Sequence, residues 1–217
     1  MGYDGHVEPD DNWIERFDGP VRVRKLSVEE MDNNVYVVSC TRTGRALVVD
    51  TAARPSRILE ATADVDVVAA VQTHGHWDHV RAWDALAHEH DWEVWGHRGD
   101  EPLFPHPCSR WLEDGDVLEV GDLRVEVLHV PGHTAGSLLY LVEGEERPHL
   151  FSGDSLFPGG VGNTFGDGDA FVQLLNGMEE RVFGRLPDET WVYPGHGDDT
   201  TLGDERPHLP EWRERGW

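Results

Sequence analysis

The sequence is poor in lysine, in cysteine and in long apolar runs. Lys25 is the only lysine beside seventeen arginines, and 42 Asp and Glu residues bring the formal net charge to −24. A surface this acidic repels phosphate backbones, so we expect no nucleic-acid partner. No apolar stretch approaches the roughly 20 residues of a membrane-spanning helix, and the N-terminus lacks a secretory pattern. We therefore expect a cytoplasmic protein that does not bind membranes.

The two cysteines are too few for a disulfide framework. Cys40 ends a strand-like run and is expected to be a buried small residue, whereas Cys108 lies in a proline-rich loop. They could pair, but the thiols of a cytoplasmic protein stay reduced. A chain of 217 residues can bury one full hydrophobic core. We expect a single domain over residues 1–217, with residues 1–20 forming a loose N-terminal arm.

Strands rich in β-branched residues occur in both halves of the chain, and each set is followed by helix. Two sheets packed together with helices outside, a four-layer αβ/βα sandwich of the α/β (α+β) class, satisfy this order. A long loop at 97–112 is expected to be functional. Strands are predicted at 21–26, 34–40, 45–51, 67–73, 93–96, 116–120, 123–130, 137–142, 149–151 and 190–193. Helices are predicted at 55–63, 78–90 and 170–183.

Four apolar runs end in residues that bind metal ions. The first is followed by THGHWDH at 73–79, and the others end in PGH, SGD and PGH at 131–133, 152–154 and 194–196. Strand ends are rigid, and neighbouring glycines let the backbone turn so that several side chains can point into one pocket. One histidine after a strand is usually an ordinary polar residue, but four such clusters indicate a shared site. The candidate ligands are His74, His76, Asp78, His79, His133, Asp154 and His196.

Five histidines and two carboxylates are the donors for two divalent ions that share one carboxylate. His74 and His76 can converge on one ion, Asp78 and His79 can reach a second, and Asp154 can bridge the two. Zinc suits these donors best, with iron or manganese as alternatives. No cysteine joins the set, which disfavours a purely structural zinc. Two ions and a trapped water can hydrolyse a substrate without a protein nucleophile, and the chain has no G-x-S-x-G elbow.

The remaining histidines are expected to have lesser roles. His97 and His106 fall in the 97–112 loop and could line the pocket. His129 is expected to be a hydrogen-bonded residue of the core or of the ligands' surroundings, and His149 a strand-edge residue. Surface positions are expected for His6, His88, His90 and His208.

The motifs resemble those of metallo-β-lactamase-fold hydrolases. The run at 73–79 matches that family's T-H-x-H-x-D-H signature, and His133, Asp154 and His196 follow in the order of its later ligands. The runs PGHTAGS at 131–137, FSGDSLF at 151–157 and YPGHG at 193–197 are similar to those of short bacterial glyoxalase II-like proteins. The resemblance covers about residues 21–210.

This resemblance implies a metallo-β-lactamase fold with two metal ions. His74, His76 and His133 would hold one ion, and Asp78, His79 and His196 the second, with Asp154 bridging them. It implies hydrolysis of a small hydroxyacyl thioester by a metal-bridging hydroxide, with Asp78 as the catalytic residue that orients it. The helical region that serves glutathione in full-length glyoxalase II is not found after the last ligand, so another thiol carrier is an alternative.

Other functions use overlapping residues. A persulfide dioxygenase would need one iron on His74, His133 and Asp154, while a lactonase or β-lactamase would use the same two ions with a different pocket. A non-catalytic metal-binding protein is the third class, and the complete ligand set argues against it. The sequence does not indicate an oligomeric state.

Overall fold

The computed structural model describes residues 5–216, and its first sheet follows the order of the chain. Seven strands lie side by side in sequence order, with the first four antiparallel and the last three joining in parallel. They are β1 (Ile14–Asp18), β2 (Val21–Val28), β3 (Asn33–Cys40), β4 (Arg45–Val49), β5 (Asp66–Val71), β6 (Val94–Gly96) and β7 (Arg110–Trp111).

The second sheet has six strands in the spatial order β15-β14-β11-β10-β9-β8. A small hairpin of β12 and β13 leaves it after β11. These strands are β8 (Val117–Val120), β9 (Leu123–His129), β10 (Leu138–Glu143), β11 (Pro148–Gly153), β12 (Leu156–Phe157), β13 (Gly160–Val161), β14 (Trp191–Pro194) and β15 (Thr200–Thr201).

Four short α-helices complete the fold, and none within residues 5–216 has the length and apolar character needed to cross a membrane. Asp167 caps the second helix, because its carboxylate accepts from the backbone N–H groups of Asp169 and Ala170 at 3.0 Å each. The helices are α1 (Pro55–Ala61), α2 (Gly168–Met178), α3 (Leu202–Glu205) and α4 (Leu209–Arg215).

Strand alternation builds a four-layer sandwich. In β3, Tyr36 and Val38 face the second sheet, whereas Val35 and Val37 pack with α1 on the outer side. In β10, Tyr140 joins the core between the sheets, and its neighbours join the outer core formed with α2. Side chains point alternately to the two faces of a strand. Each sheet therefore packs against the other sheet on one face and against helices on its other face. The predicted αβ/βα sandwich is therefore confirmed.

The segment expected to be a loose N-terminal arm contains a strand. Residues 14–18 form β1, which pairs with β2 from Ile14 opposite Lys25 to Asp18 opposite Val21. Gly19, at φ 57°, makes the tight turn between the two strands. The prediction of a loose arm was therefore wrong for these residues. It relied on polar and glycine-rich composition, which does not indicate the backbone pairing that a short turn allows. Residues 1–4 of the arm lie outside the described residues.

The predicted helix over residues 78–90 is broken into two short pieces. A 3₁₀ turn covers Trp77–His79, and a π-helical turn covers Ala85–Glu89. Between them the N–H groups of Arg81 and Ala82 donate to the carbonyls of Ala52 and Thr51, on the loop after β4. These backbone groups are paired with another loop, so a continuous helix cannot use them. The helical spacing of the apolar residues is present in the sequence, but hydrogen bonds to another loop prevent one continuous helix.

His149 is fully buried in the middle of the second sheet, so its prediction as a strand-edge residue was wrong. Its Nε2 lies 3.0 Å from Asp18 Oδ2, and its Nδ1 lies 2.8 Å from the Tyr193 hydroxyl. A neutral ring that donates through Nε2 and accepts at Nδ1 satisfies both partners. Burial lowers the pKa of His149, although the hydrogen bond that its ring donates to Asp18 opposes that shift.

Lys25, the only lysine, forms a buried ion pair with Asp199. The two side chains are 0% and 1% exposed, and Nζ lies 2.7 Å from the Asp199 carboxylate. Nζ also donates to the carbonyls of Gly5 and Gly197 at 2.6 Å each. The ammonium therefore uses all three of its hydrogens inside the protein, and it joins strand β2 to the loop that follows β14.

We predict that Lys25→Met lowers the free energy of unfolding by about 3–5 kcal/mol, because the Asp199 carboxylate would stay buried without its partner. Chemical denaturation of the purified variant measures this loss. Arg42→Met is the matched control, since Arg42 pairs with Asp122 on the exposed surface. That control should change stability by about 1 kcal/mol or less. Equal losses in the two variants would contradict the prediction.

We also predict that His149→Gln weakens the pH dependence of stability. The folded pKa of His149 is lowered from its ordinary value of 6.5, so the unfolded chain takes up a proton first as the pH falls. Stability present above pH 6.5 is therefore lost below it, by at most about 1.4 kcal/mol per pH unit. Unfolding of the metal-free proteins between pH 7.5 and 5.5 should show a steeper loss in the wild type. Parallel curves would exclude this contribution.

Candidate metal centre

The structure brings all seven candidate ligands together at the ends of strands from both sheets. The first sheet supplies the loop after β5, and the second supplies the residues that follow β9, β11 and β14. The nitrogen and oxygen atoms of these side chains form three overlapping groups, each within 4.8 Å. The first group is His74, His76 and His133, and the second group is Asp78, His79 and His196. The third, His74, His79 and Asp154, overlaps both.

The first group is made of histidine rings. His133 Nε2 lies 2.9 Å from His76 Nδ1 and 3.5 Å from Asp154 Oδ2. The ring centroid of His74 lies 4.7 Å from that of His76 and 4.8 Å from that of His133. Two nitrogen lone pairs at this distance cannot share more than one proton, so the group is suited to a common cation.

The second group contains two histidines and a carboxylate. His79 Nε2 lies 3.2 Å from His196 Nε2 and 3.6 Å from Asp78 Oδ2. Asp154 stands between the two groups, because its Oδ1 is 3.5 Å from His79 while its Oδ2 is 3.5 Å from His133. Oδ2 also lies 3.5 Å from His196 Nε2, so the Asp154 carboxylate is within reach of both groups.

Two buried polar atoms at the centre of the cluster have no hydrogen-bond partner: His74 Nε2 and Asp154 Oδ1. A buried acceptor without a hydrogen-bond partner destabilises the folded protein by about 1–3 kcal/mol, so a bound group at this position would be stabilising. A cation would satisfy both atoms at once. Imidazole and carboxylate donors fit zinc, iron or manganese, so these residues fit a divalent metal.

Asp50 supports the cluster from beneath. Its carboxylate lies 2.9 Å from His79 Nδ1 and accepts from the backbone N–H and the hydroxyl of Thr73, at 2.7 and 2.8 Å. The Thr73 hydroxyl, having donated to Asp50, accepts from His74 Nδ1 at 3.0 Å. One buried carboxylate thus fixes the ring orientation of His74 and His79 and leaves both Nε2 atoms facing the centre.

Backbone carbonyls orient two further rings in the same way. His133 Nδ1 donates to the Asn163 carbonyl at 2.8 Å, and His196 Nδ1 donates to the Met31 carbonyl at 2.8 Å. Each ring then presents Nε2 to the cluster. His76 differs, because its Nδ1 is the atom that faces His133.

The start of β3 grips the loop that carries His196. Asn34 Nδ2 donates to the carbonyls of Pro194 and Gly197 at 2.9 Å each, and the Tyr36 hydroxyl donates to the Pro194 carbonyl at 2.7 Å. Neighbouring Asn33 donates through Nδ2 to Asp78 at 3.1 Å. Strand β3 of one sheet therefore holds a ligand loop of the other sheet in register.

Asp100 performs a similar task for the loops that carry His76 and His133. It is fully buried, and its carboxylate accepts from the Gly75 N–H at 2.9 Å, the Gly136 N–H at 2.7 Å and the Thr134 hydroxyl at 2.7 Å. Gly75 and Gly136 also leave no room for a side chain, since an added Cβ would lie within about 3 Å of Asp100 or Leu103. The 97–112 loop therefore contributes to the site through the Asp100 carboxylate, which positions the loops of two candidate ligands.

The supporting residues Asp50, Asp100 and Asn33 were not predicted from the sequence. Asp50 directly follows the apolar run of β4, which is the same pattern that identified Asp154. Applied to the first half of the chain, that pattern would have found it. Asp100 and Asn33 stand in polar surroundings, and no pattern in the sequence distinguishes them.

The electrostatics separate the two groups. Burial lowers the pKa of His74 well below its usual value, and burial also lowers the pKa values of His76 and His133. Burial by itself would raise the pKa of Asp154, but the charge on His79 and the hydrogen bond from His196 hold it low. The first group therefore presents neutral nitrogen lone pairs beside an ionised carboxylate, the state that binds metal.

In the second group, the aspartates favour the protonated form of His196. Burial opposes the charge on His196, but hydrogen bonds to Asp154 and Asp78 raise its pKa to about 10. The pKa of Asp78 is held low because the hydrogen bond from His196 and the charge on His79 outweigh burial. A bound divalent ion would displace the proton on His196, so metal affinity is expected to fall in acid.

A cavity of about 470 Å³ opens above the cluster. Its exposed apolar walls are Met31, Trp77 and Phe165, and Asn163 adds a polar group. The Phe165 ring lies 5.7 Å from that of His76 and 5.9 Å from that of His133, at a residue with φ 56°. A small molecule can therefore reach the ligands from solvent along an apolar surface.

The other histidines lie away from this cavity. His97 and His106, which could have lined it, do not: His97 stacks on His129 at 4.0 Å, and His106 is an exposed residue beside Asp84. His129 is half-buried, and its Nε2 contacts the Ala135 carbonyl at 2.9 Å in the loop next to His133. The described histidines predicted at the surface, His6, His88, His90 and His208, are exposed.

Several relatives with similar sequences are named hydroxyacylglutathione hydrolases. The chain is 31% identical to "Hydroxyacylglutathione hydrolase GloC" of Haemophilus influenzae, over 76% of this chain and 86% of that protein. It is 33% identical to "Hydroxyacylglutathione hydrolase" of Dictyostelium discoideum over 82% of its own length, but the matched region is only 64% of that longer protein.

Solved structures share the fold. ETHE1 from Myxococcus xanthus has a TM-score of 0.74 and 28% identity, covering 94% of this chain and 85% of that one. TTHA1623 in a di-iron-bound form has a TM-score of 0.69 and 31% identity, covering 84% and 96%. The BLEG-1 B3 metallo-beta-lactamase has a TM-score of 0.75 and 26% identity, covering 88% and 99%.

The family model of the Metallo-beta-lactamase superfamily matches residues 28–196, which run from the end of β2 to the last candidate ligand. This region includes all seven candidate ligands together with Asp50 and Asp100. The chain therefore belongs to the metallo-beta-lactamase superfamily.

Proposed function

We propose that the protein is a metal-dependent thioester hydrolase of the glyoxalase II type, acting on a small hydroxyacyl thioester. The observation that carries the proposal is the cluster of seven donors with two unpaired atoms at its centre, lying at the floor of an open cavity. The names of the relatives from Haemophilus and Dictyostelium support the choice of substrate class.

The donor set would hold two divalent ions. One would lie among His74, His76 and His133, the other among Asp78, His79 and His196, with Asp154 between them. Zinc fits these donors, and the di-iron form of TTHA1623 supports iron as the alternative. When bound, a pair of divalent ions supplies an activated water at neutral pH and polarises a carbonyl oxygen.

Asp78 is proposed to orient the attacking water. It is buried, its Oδ2 lies 3.3 Å from His196 Nε2, and the same oxygen accepts from Asn33 Nδ2 at 3.1 Å. Its pKa is held low, so it stays an acceptor for a water proton at neutral pH. A carboxylate fixed by two partners can align a water without reorganising during the reaction.

No side chain of the cavity is needed as a nucleophile. The cavity-lining residues include no serine or cysteine, and Ser152, next to the site, is buried and donates to the Leu156 carbonyl at 2.8 Å. The thiolate released from a thioester has a pKa of about 8.5, so it can leave without a protein acid. Hydrolysis therefore requires from the chain only the metal ligands and the water-orienting carboxylate.

The second candidate is persulfide oxidation on one iron held by His74, His133 and Asp154. The proximity of these side chains favours it, because His133 Nε2 lies 3.5 Å from Asp154 and the rings of His74 and His133 are in contact. The fold similarity to ETHE1 is compatible with it. This reaction would leave Asp78 and His196 without a task, although the structure supports both through Asn33 and Met31.

We predict that Asp154→Asn lowers kcat/KM for an S-(2-hydroxyacyl)glutathione about 1,000-fold, a loss of about 4 kcal/mol of transition-state stabilisation. The amide keeps the shape of the side chain but loses the charge shared by the two groups. Elemental analysis should show fewer bound ions than the two per chain expected of the wild type. Asp66→Asn, at an exposed position, is the control and should change neither value. Full activity in Asp154→Asn would refute the shared-carboxylate arrangement.

We predict that His196→Gln separates the two candidate functions. The variant removes one donor of the second group and leaves His74, His133 and Asp154 intact. A hydrolase should lose most of its thioesterase activity, whereas a single-iron dioxygenase should still consume oxygen with a persulfide substrate. Both assays are run on wild type and variant after anaerobic loading with zinc or iron. Oxygen uptake that survives in the variant, with no thioester hydrolysis in the wild type, would overturn the proposal.

A further inference from the structure

A second group of metal-binding side chains lies on the surface, separate from the seven-ligand centre. Among residues 5–216, Asp84, His88 and His106 bring one donor atom each to within 4.8 Å of the others, and they share no residue with the centre. We propose that these three side chains form a further divalent-cation site, with zinc as the best-matched ion.

The distances are close to those an ion requires. Asp84 Oδ1 lies 2.7 Å from His106 Nε2 and 3.9 Å from His88 Nε2, and the two histidine ring centroids are 4.9 Å apart. Ligand bonds of about 2.0–2.1 Å in a tetrahedron place donor atoms roughly 3.3 Å from one another. Because all three side chains are exposed, small rotations can bring the donors to this spacing without disturbing the core.

A simple ion pair accounts for only part of this arrangement. Asp84 and His106 would form one without help, and an exposed pair of this kind adds little stability. His88 stands one helical turn after Asp84, lies 3.9 Å from the same carboxylate oxygen and places its ring edge-on against His106, so both rings converge on one carboxylate. Two imidazoles and one carboxylate are a donor set that zinc accepts, and the exposed side leaves room for water as the fourth ligand.

The backbone beneath the group is already fixed. Asp84 and His88 belong to the helical segment around Ala85–Glu89, while His106 comes from the 97–112 loop. Trp83 and Phe104, both buried, pack against each other with ring centroids 5.4 Å apart and join these two segments. The two backbone segments that carry the donors are therefore held together before any ion binds, which lowers the ordering cost of binding.

A bound ion would act as a structural clamp on the 97–112 loop. The same loop carries Asp100, which holds the backbone of Gly75 and Gly136 beside His76 and His133. An ion on Asp84, His88 and His106 would tie this loop to the helical segment at a second point beyond the Trp83–Phe104 contact. We assign it no part in the chemistry of the seven-ligand centre.

The test compares zinc binding by the full-length protein and by single variants. Each protein is dialysed against micromolar zinc, and bound zinc is measured by elemental analysis. His106→Gln and His88→Gln should each bind one equivalent less than the wild type, whatever the occupancy of the seven-ligand centre. His90→Gln is the matched control, because His90 is an exposed histidine of the same segment outside the group. It should bind as much zinc as the wild type.

Thermal unfolding gives a second readout. Added zinc should raise the unfolding temperature of the wild type and of His90→Gln by the same amount, and by less in His106→Gln and His88→Gln. Circular dichroism without added zinc checks that all four proteins are folded. Equal zinc content in the wild type and in both cluster variants would overturn the proposal, and so would an equal loss in His90→Gln. Thioesterase activity does not enter the comparison, so the outcome is independent of the proposed function.

Discussion

The structure of the centre depends on one constraint: seven donor side chains are gathered where the protein alone cannot satisfy them all. Polar atoms that are buried without a partner are destabilising, and His74 Nε2 and Asp154 Oδ1 are in that state. Beside them, hydrogen bonds to Asp154 and Asp78 raise the pKa of His196. The chain tolerates this arrangement because the rest of the fold holds it in place. A cation turns the same atoms from a cost into a source of stability.

The residues that position the candidate ligands come from both sheets. The site therefore depends on the whole sandwich. Asp50 at the end of β4 fixes His74 and His79 within the first sheet. The second sheet supplies Asp154 after β11, and Asn34 from β3 secures the loop that carries His196. Neither sheet provides a complete ion site by itself. The distances within the centre therefore depend on how the two sheets pack against each other.

The sequence predicted the parts of the molecule that depend on local pattern. Apolar runs located most strands, and ligand residues beside glycine at strand ends identified all seven members of the cluster. What it could not predict depends on contacts between distant segments. The helix expected at 78–90 is replaced by hydrogen bonds with the loop at 51–52, and His149 contacts Asp18 and Tyr193, which are far from it in the sequence. Asp100 is the clearest case, since its three partners lie in two other loops.

The scarcity of lysine and the acidic charge gain meaning once the structure is known. Lys25 is buried with Asp199, so it adds no positive charge to the surface, and Arg54 and Arg81 in the groove beside the cavity already pair with Asp10 and Glu29. A net charge of −24 concentrates cations near the protein and repels anions. This field favours loading of metal sites and opposes the approach of a substrate with several carboxylates. Recognition of a charged thiol carrier would therefore require local contacts strong enough to outweigh the charge of the whole molecule, whereas an apolar substrate could bind through Met31, Trp77 and Phe165 without that penalty.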